Sequence, residues 1–214
     1  MAVEIQQVHL AHPQPRLIRR AADILRRGGL IVYPTDTIYG LGADLFNKKA
    51  MARIFRLKGA SKHKLLSFVC SDLKEISRWA FVPNSAYRIL RRVTPGRYTF
   101  VLRASSEVPK ILLQKRNFVG IRVPDSAVAI HLALELGRPL LSTSVPQDDD
   151  GYFTDPAEIA ERFKNDIDLI LDAGVMANLP STIVDLSGGY PEILREGAGD
   201  VRLLYADSPR LEHG

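Results

Sequence analysis

The stretch Leu30-Ile31-Val32-Tyr33-Pro34-Thr35-Asp36-Thr37-Ile38-Tyr39-Gly40-Leu41-Gly42 constrains the fold more than any other part of the chain. Its apolar, β-branched opening reads as a buried strand, and Pro34, with no N–H to give, ends the ladder there. Hydroxyls and a carboxylate follow at the strand end. The chain is then expected to turn over Gly40-Leu41-Gly42, where backbone without a Cβ can approach a ligand. In open α/β sheets ligands gather outside the carboxyl ends of strands, so Thr35 and its neighbours are candidate hydrogen-bond partners for a bound molecule. The plainer alternative is an ordinary corner in which Thr35 and Asp36 cap local backbone, and on these residues alone it stays open.

A buried strand needs covering, and the flanking sequence supplies helices. From Arg16 to Arg27, Leu17, Ile18, Ala21, Ala22, Ile24 and Leu25 make a broad apolar face, and Gly28-Gly29 is the stop. Asn47 can cap a second helix that buries Ala50, Met51, Ile54, Phe55 and Leu57 and ends near Gly59. Leu65 to Cys70 reads as a strand, and Asp72 with Glu75 resembles a capping box. A short helix is expected around Ser85 to Arg92, strands at Tyr98–Leu102 and Phe118–Pro124, a helix from Ala127 to Leu136, and a strand at Pro139–Ser144. Asp155-Pro156-Ala157-Glu158 has the order of a helix start. The runs Leu169–Leu171, Thr182–Leu186 and Glu192–Gly197 follow. Strands and helices mix without strict alternation, which predicts an α/β fold: one domain over 1–214, with a twisted mixed parallel and antiparallel sheet and helices on its faces.

With 214 residues, 46% of them hydrophobic, the chain can build a core without staples. The single cysteine, Cys70, excludes an internal disulfide framework and reads as a small buried hydrophobe. The histidines show no metal-ligand spacing beyond a His9/His12 pair near the terminus, so no structural metal is expected. No run approaches membrane-spanning length, which predicts a cytoplasmic protein without a membrane partner. The net charge of +5 and sequence pI near 9.4 favour an anionic partner, nucleotide or nucleic acid.

Cations and hydroxyls carry the remaining signal. Lys48, Lys49, Arg53, Arg56, Lys58, Lys62, His63 and Lys64 crowd one helix face and the loop after it. Each alone reads as a solvated surface group, yet together they make a positive potential suited to phosphates. Arg122 interrupts an apolar strand, so it must meet an internal carboxylate or a ligand's carboxylate or phosphate. Gln147-Asp148-Asp149-Asp150-Gly151 reads as a solvated acidic loop, with a lid or magnesium site as the lesser option. A Gly-x-x-x-x-Gly-Lys loop is absent, the dinucleotide fingerprint fails at Leu45, and there is no Gly-x-Ser-x-Gly elbow. Lys58, Arg122 and Arg195, with Thr35, Ser142, Ser144 and Ser181, suit phosphoryl or nucleotidyl transfer, which relies on positioning and charge neutralisation.

The successive blocks Tyr33–Gly42, Pro95-Gly96-x-Tyr98-Thr99, Gly120–Pro124, Leu141–Ser144, Ser181–Asp185 and Arg195–Gly197 resemble those of the YrdC-like family, in the family's order, over a core of about 16–204. The resemblance implies a concave, positively charged cavity and the activity of threonylcarbamoyl-AMP synthases. These join L-threonine, bicarbonate and ATP, release pyrophosphate, and supply the intermediate for threonylcarbamoyladenosine in tRNA. Carried over by block, it implies Thr35, Arg122, Ser142 and Ser181 at the threonine moiety, and Lys58, Ser144 and Arg195 at the phosphates of ATP with Mg2+. Lys58, Arg122 and Ser144 would then be the catalytic set.

Two departures stand out. The synthases' Lys-x-Arg block reads Lys58-Gly59-Ala60 here, and their Ser-x-Asn block reads Ser144-Val145-Pro146. One lost charge-assisted contact is worth about 1.5–3 kcal/mol, roughly one to two decades in rate if it acts in the transition state. Lys62 or Lys64 could substitute as point charges. With Phe153-Thr154-Asp155-Pro156 after the acidic loop, these changes make the chain similar to the YciO branch. Two expectations result: a synthase-like nucleotidyltransferase, or a YciO-type protein that binds nucleotide or RNA (tRNA or double-stranded) with weak or lost chemistry.

Overall fold

The computed structural model describes residues 3–57, 66–113, 117–145 and 151–205. In chain order these form β1 (Glu4–Gln7), α1 (Pro15–Arg26), β2 (Ile31–Tyr33), β3 (Gly40–Asp44), α2 (Lys48–Leu57), β4 (Ser67–Val69), α3 (Leu73–Trp79), β5 (Ala80–Phe81), α4 (Asn84–Val93), β6 (Tyr98–Ala104), β7 (Phe118–Arg122), α5 (Ala127–Leu136), β8 (Leu140–Ser144), α6 (Pro156–Phe163), β9 (Leu169–Asp172), β10 (Thr182–Asp185) and β11 (Glu192–Arg195), closed by a 3-10 turn at Val201–Leu204. One mixed sheet runs β1-β9-β2-β3-β8-β4-β7-β6-β10-β11, with β5 added to β6. The pairs β1/β9, β2/β9, β4/β7 and β6/β10 are parallel and the rest antiparallel, as the mixed pattern predicts.

Local chemistry sets the helix ends. Pro15 opens α1, where its missing N–H is no loss. Gly28 closes it at φ +84, its N–H donating to the Leu25 carbonyl while Gly29 donates to Ile24. That is the bonding of a left-handed C-terminal cap. Asn47 Oδ1 caps α2 by accepting from the Lys49 and Ala50 N–H groups at 3.1 Å. Asp72 caps α3, accepting from Glu75 N at 2.8 Å, and the Glu75 carboxylate reaches back to the Ser71 N–H at 2.7 Å. Asp155 caps α6 through the Ala157 N–H.

Strand alternation then sorts the side chains onto two faces. On one, Ile18, Ala21 and Leu25 of α1 and Val128, Leu132 and Leu136 of α5 pack on Ile31, Tyr33, Leu140, Leu169 and Leu171. On the other, α2, α3, α4 and α6 bring Met51, Ile54, Ile76, Trp79, Leu90 and Ile159 against Val32, Leu41, Phe68, Phe100, Ile121 and Ile170. Cys70 is fully buried in this second core, as expected, and burial pushes its thiol well above the ordinary range. Each of these large side chains contributes about 1.5–3 kcal/mol by leaving water. No helix among the described residues is long and apolar enough to cross a membrane.

Two expectations change, and one strand is added. Gly40-Leu41-Gly42 is strand β3 rather than a turn, and the reversal lies at Pro34–Tyr39. Both glycines are needed for Tyr33: a Cβ on Gly40 would come within 3.0 Å of its ring, and one on Gly42 within 2.9 Å. Residues 4–7, to which the sequence pattern assigns no element, form an edge strand because β9 offers them a parallel ladder. The basic face of α2 is partly neutralised: Arg53 pairs with Asp168 at 3.0 Å and Arg56 with Asp166 at 2.8 Å, holding α2 to the chain before β9. Lys58, Lys62, His63, Lys64 and the acidic positions 147–150 lie outside the described residues.

Candidate active site

Helices α1 and α5 cover only part of their face of the sheet. Beyond them Gly40 of β3, Ser142 and Ser144 of β8 and Ser67 of β4 line this face, so at these positions three adjacent strands present nothing larger than a hydroxymethyl group. Small residues here leave an open trough where Leu or Val would have drawn a helix down. The result is a cavity of about 380 Å³ whose walls include Thr35, Arg122, Ser142, Ser144, Ser181 and Arg195. Six of the seven site residues picked from the sequence thus meet in one place, and the seventh, Lys58, lies outside the described residues. The cavity lies across the face of the sheet and not beyond the strands' carboxyl ends. A mixed sheet has no single carboxyl edge, since β7 and β8 run opposite to their neighbours β6 and β3.

Arg122 meets an internal carboxylate. Its Nη2 donates to the Asp36 carboxylate and to Thr37 Oγ1, the latter at 3.0 Å. The pair is buried, with 9% and 4% of the two side chains exposed. The other Asp36 oxygen accepts from the Asp125 N–H at 3.0 Å, and Ser126 Oγ donates to the Pro34 carbonyl at 3.2 Å. The Pro34–Tyr39 reversal is thereby fastened to the start of α5. Arg122 nevertheless remains under-committed, for its Nε is buried with no hydrogen-bond partner. Burial lowers its pKa most, Asp36 opposes that, and the nearby Arg195 lowers it further.

The hydroxyls differ in what they can still offer. Thr35 Oγ1 donates to the Ile38 carbonyl at 2.7 Å and accepts from the Thr37 N–H at 3.1 Å, so it closes its own loop while lining the cavity. Ser142 Oγ lies 2.7 Å from Tyr33 Oη. Ser181 Oγ lies 2.8 Å from Thr99 Oγ1. Arg195 Nη2 donates to the Ser181 carbonyl at 2.7 Å and Nη1 to Tyr152 Oη at 3.0 Å, so among the described residues neutral oxygens alone hold this guanidinium. Among the described lining residues there is no carboxylate, whereas Arg122 and Arg195 are both present. Such a cavity attracts anions.

Residue-by-residue reading of the chain missed Tyr152 and the partnership of Tyr33 with Ser142. No local pattern marks Tyr152. Tyr33 did carry a signal, because an aromatic residue followed by glycines two apart suits a hairpin whose ring lies over bare backbone.

The family model Sua5/YciO/YrdC, described as telomere recombination, matches residues 23–197. YciO of Escherichia coli (strain K12) is 43% identical over 197 residues, 91% of this chain and 96% of that protein. The crystal structure of E. coli YciO matches with a TM-score of 0.90 and 41% identity, over 94% of this chain and 99% of that one. A threonylcarbamoyl-AMP synthase of Pyrococcus abyssi is 32% identical over 182 residues, 84% of this chain and 54% of that longer protein. The structure of P. abyssi Sua5 complexed with L-threonine matches with a TM-score of 0.82 and 29% identity, over 92% of this chain and 58% of that one. With a family model spanning most of its length and relatives that share its fold, this chain belongs to the Sua5/YciO/YrdC family.

Proposed function

We propose that the cavity takes L-threonine, bicarbonate and ATP and that the protein is a threonylcarbamoyl-AMP synthase-like nucleotidyltransferase serving tRNA modification in the cytoplasm. One observation carries the reading: Arg122, paired with Asp36 behind the wall but with its Nε left without a partner, and Arg195, held by neutral oxygens, share a cavity whose described lining has no carboxylate. A guanidinium suits an amino-acid carboxylate, and a second one suits the leaving phosphates. In this mechanism the threonine amine captures bicarbonate with loss of water, a carbamate oxygen attacks the α-phosphorus as the α–β phosphoanhydride bond breaks, and the cations hold the departing pyrophosphate. Magnesium would arrive with ATP as part of the substrate, and Lys58 would add a further positive charge. The test is incubation of pure protein with ATP, magnesium, bicarbonate and threonine. Threonine-dependent release of pyrophosphate is expected, and threonine-independent background alone would refute the proposal.

A second reading is favoured by Ala60 and Pro146, which stand where the synthases' blocks have arginine and asparagine. In it the cavity still binds nucleotide, the chemistry is weak, and the partner is RNA. Salt-sensitive binding of structured RNA without turnover would support it, since phosphate contacts release counterions. The double change Ala60→Arg, Pro146→Asn separates the two. The synthase reading expects activity to rise, and an unchanged rate speaks for a repurposed cavity.

A further inference from the structure

We propose that Tyr33 is a positioning residue: its hydroxyl donates to Ser142 Oγ and so leaves the Ser142 proton aimed into the cavity, at an acceptor oxygen of the bound molecule. The proposal rests on the cavity being the substrate site and adds to it the polarity of one wall.

The argument is one of proton placement. Tyr33 is fully buried, and Ser142 Oγ at 2.7 Å is the sole partner of its hydroxyl among the described residues. If Ser142 donated instead, the phenol proton would be left buried without an acceptor, at the cost of a stranded polar group. Ser142 lines the cavity, so its own proton can be met there by water or guest. The cheaper assignment therefore runs from Tyr33 to Ser142 and outward. Burial pushes the phenol up to about 12, so it keeps its proton throughout the range in which ATP and amino acids bind.

Rigidity makes the arrangement a device. The Tyr33 ring lies over Gly40 and Gly42, and a Cβ on Gly40 would also come within 3.2 Å of Ser142 Oγ. One glycine thus clears room for both members of the pair. Thr35 has already committed its proton to Ile38, so this wall offers the donors of Ser142 and Arg122. The guest group it fits is an acceptor, a carboxylate or phosphate oxygen, and not an ammonium.

Two measurements test the idea. Neutron diffraction from deuterium-exchanged wild-type crystals should show the Tyr33 deuteron on the line to Ser142 Oγ and the Ser142 deuteron turned to the cavity. The reverse orientation overturns the proposal, whatever the cavity binds. Calorimetric titration with L-threonine should show Tyr33→Phe and Ser142→Ala each weakening binding by about three- to tenfold, the worth of one neutral hydrogen bond. The double variant should be no weaker than Ser142→Ala alone. Wild-type affinity in Tyr33→Phe, or losses that multiply, would reduce Tyr33 to a packing residue. A wild-type protein that binds neither L-threonine nor ATP would instead sink the proposed function and leave the neutron map to decide the proton's direction.

Discussion

Replacing Asp36 with asparagine is the most informative single perturbation of this molecule. The change keeps the side chain's shape and removes the charge opposite Arg122 in a pair whose side chains are 4% and 9% exposed. Solvent screening is slight at such burial, and stripping one partner from a buried ion pair costs about 3–5 kcal/mol because the other charge stays behind. The asparagine carbonyl can still accept from Arg122, but its amide then faces the Asp125 N–H, donor against donor, where Asp36 accepts now. Against a total stability of about 5–15 kcal/mol the variant folds with a thin margin. At roughly 2–4 °C per kcal/mol for a domain of this size, its melting temperature should drop by about 6–20 °C. Urea unfolding gives the free energy directly. Pyrophosphate should restore more stability to Asp36→Asn than to the wild type, since the abandoned guanidinium gains an anion that Asp36 no longer rivals. A loss below about 1 kcal/mol, or equal stabilisation of the two proteins by pyrophosphate, would refute the picture of Arg122 as a buried, partly unmatched cation.

Other perturbations probe neighbouring parts. Gly42→Ala pushes a methyl to within 2.9 Å of the Tyr33 ring and should cost about 1–3 kcal/mol in urea unfolding through overpacking alone. Thr35→Val removes the hydroxyl that bonds the Ile38 carbonyl and should cost about 1 kcal/mol of stability; unchanged stability with weakened threonine binding would mean that this hydroxyl serves the ligand instead. Burial raises the Glu75 carboxyl above its usual range in spite of its bonds from Ser71. The folded protein therefore holds this proton more tightly than the unfolded chain, and stability falls as pH rises from the unfolded pKa through the folded one. Glu75→Gln should flatten that part of the stability profile, and an unaltered slope would refute the assignment.

How much could be read beforehand follows the range of each interaction. Helix ends were legible because Asn47, Asp72 and Asp155 act on N–H groups two or three residues away. Arg122 could be marked as a charge needing a partner, but the choice between carboxylate and ligand turned on Asp36, which lies 86 residues away. The partners of Arg53 and Arg56 were hidden for the same reason, since their carboxylates at Asp168 and Asp166 come from a distant part of the chain. The β3 glycines look like a turn locally, and only the Tyr33 ring lying on them explains why a strand needs them. Residues that line the cavity were legible where a hydroxyl or cation stands in or at the end of an apolar strand, as at Arg122 and Ser142. Tyr152 stands in no such strand.

The alternation along β7 has an outcome for how the molecule assembles. Ile121 points into one core and Arg122 toward the cavity, so sliding this strand by one position against β4 and β6 would drive a guanidinium into hydrocarbon and strand Ile121 outside. A misregistered sheet therefore cannot persist as a stable molecule with scrambled chemistry. Folding proofreads the site, and any copy that reaches the compact state carries its arginine on the correct side.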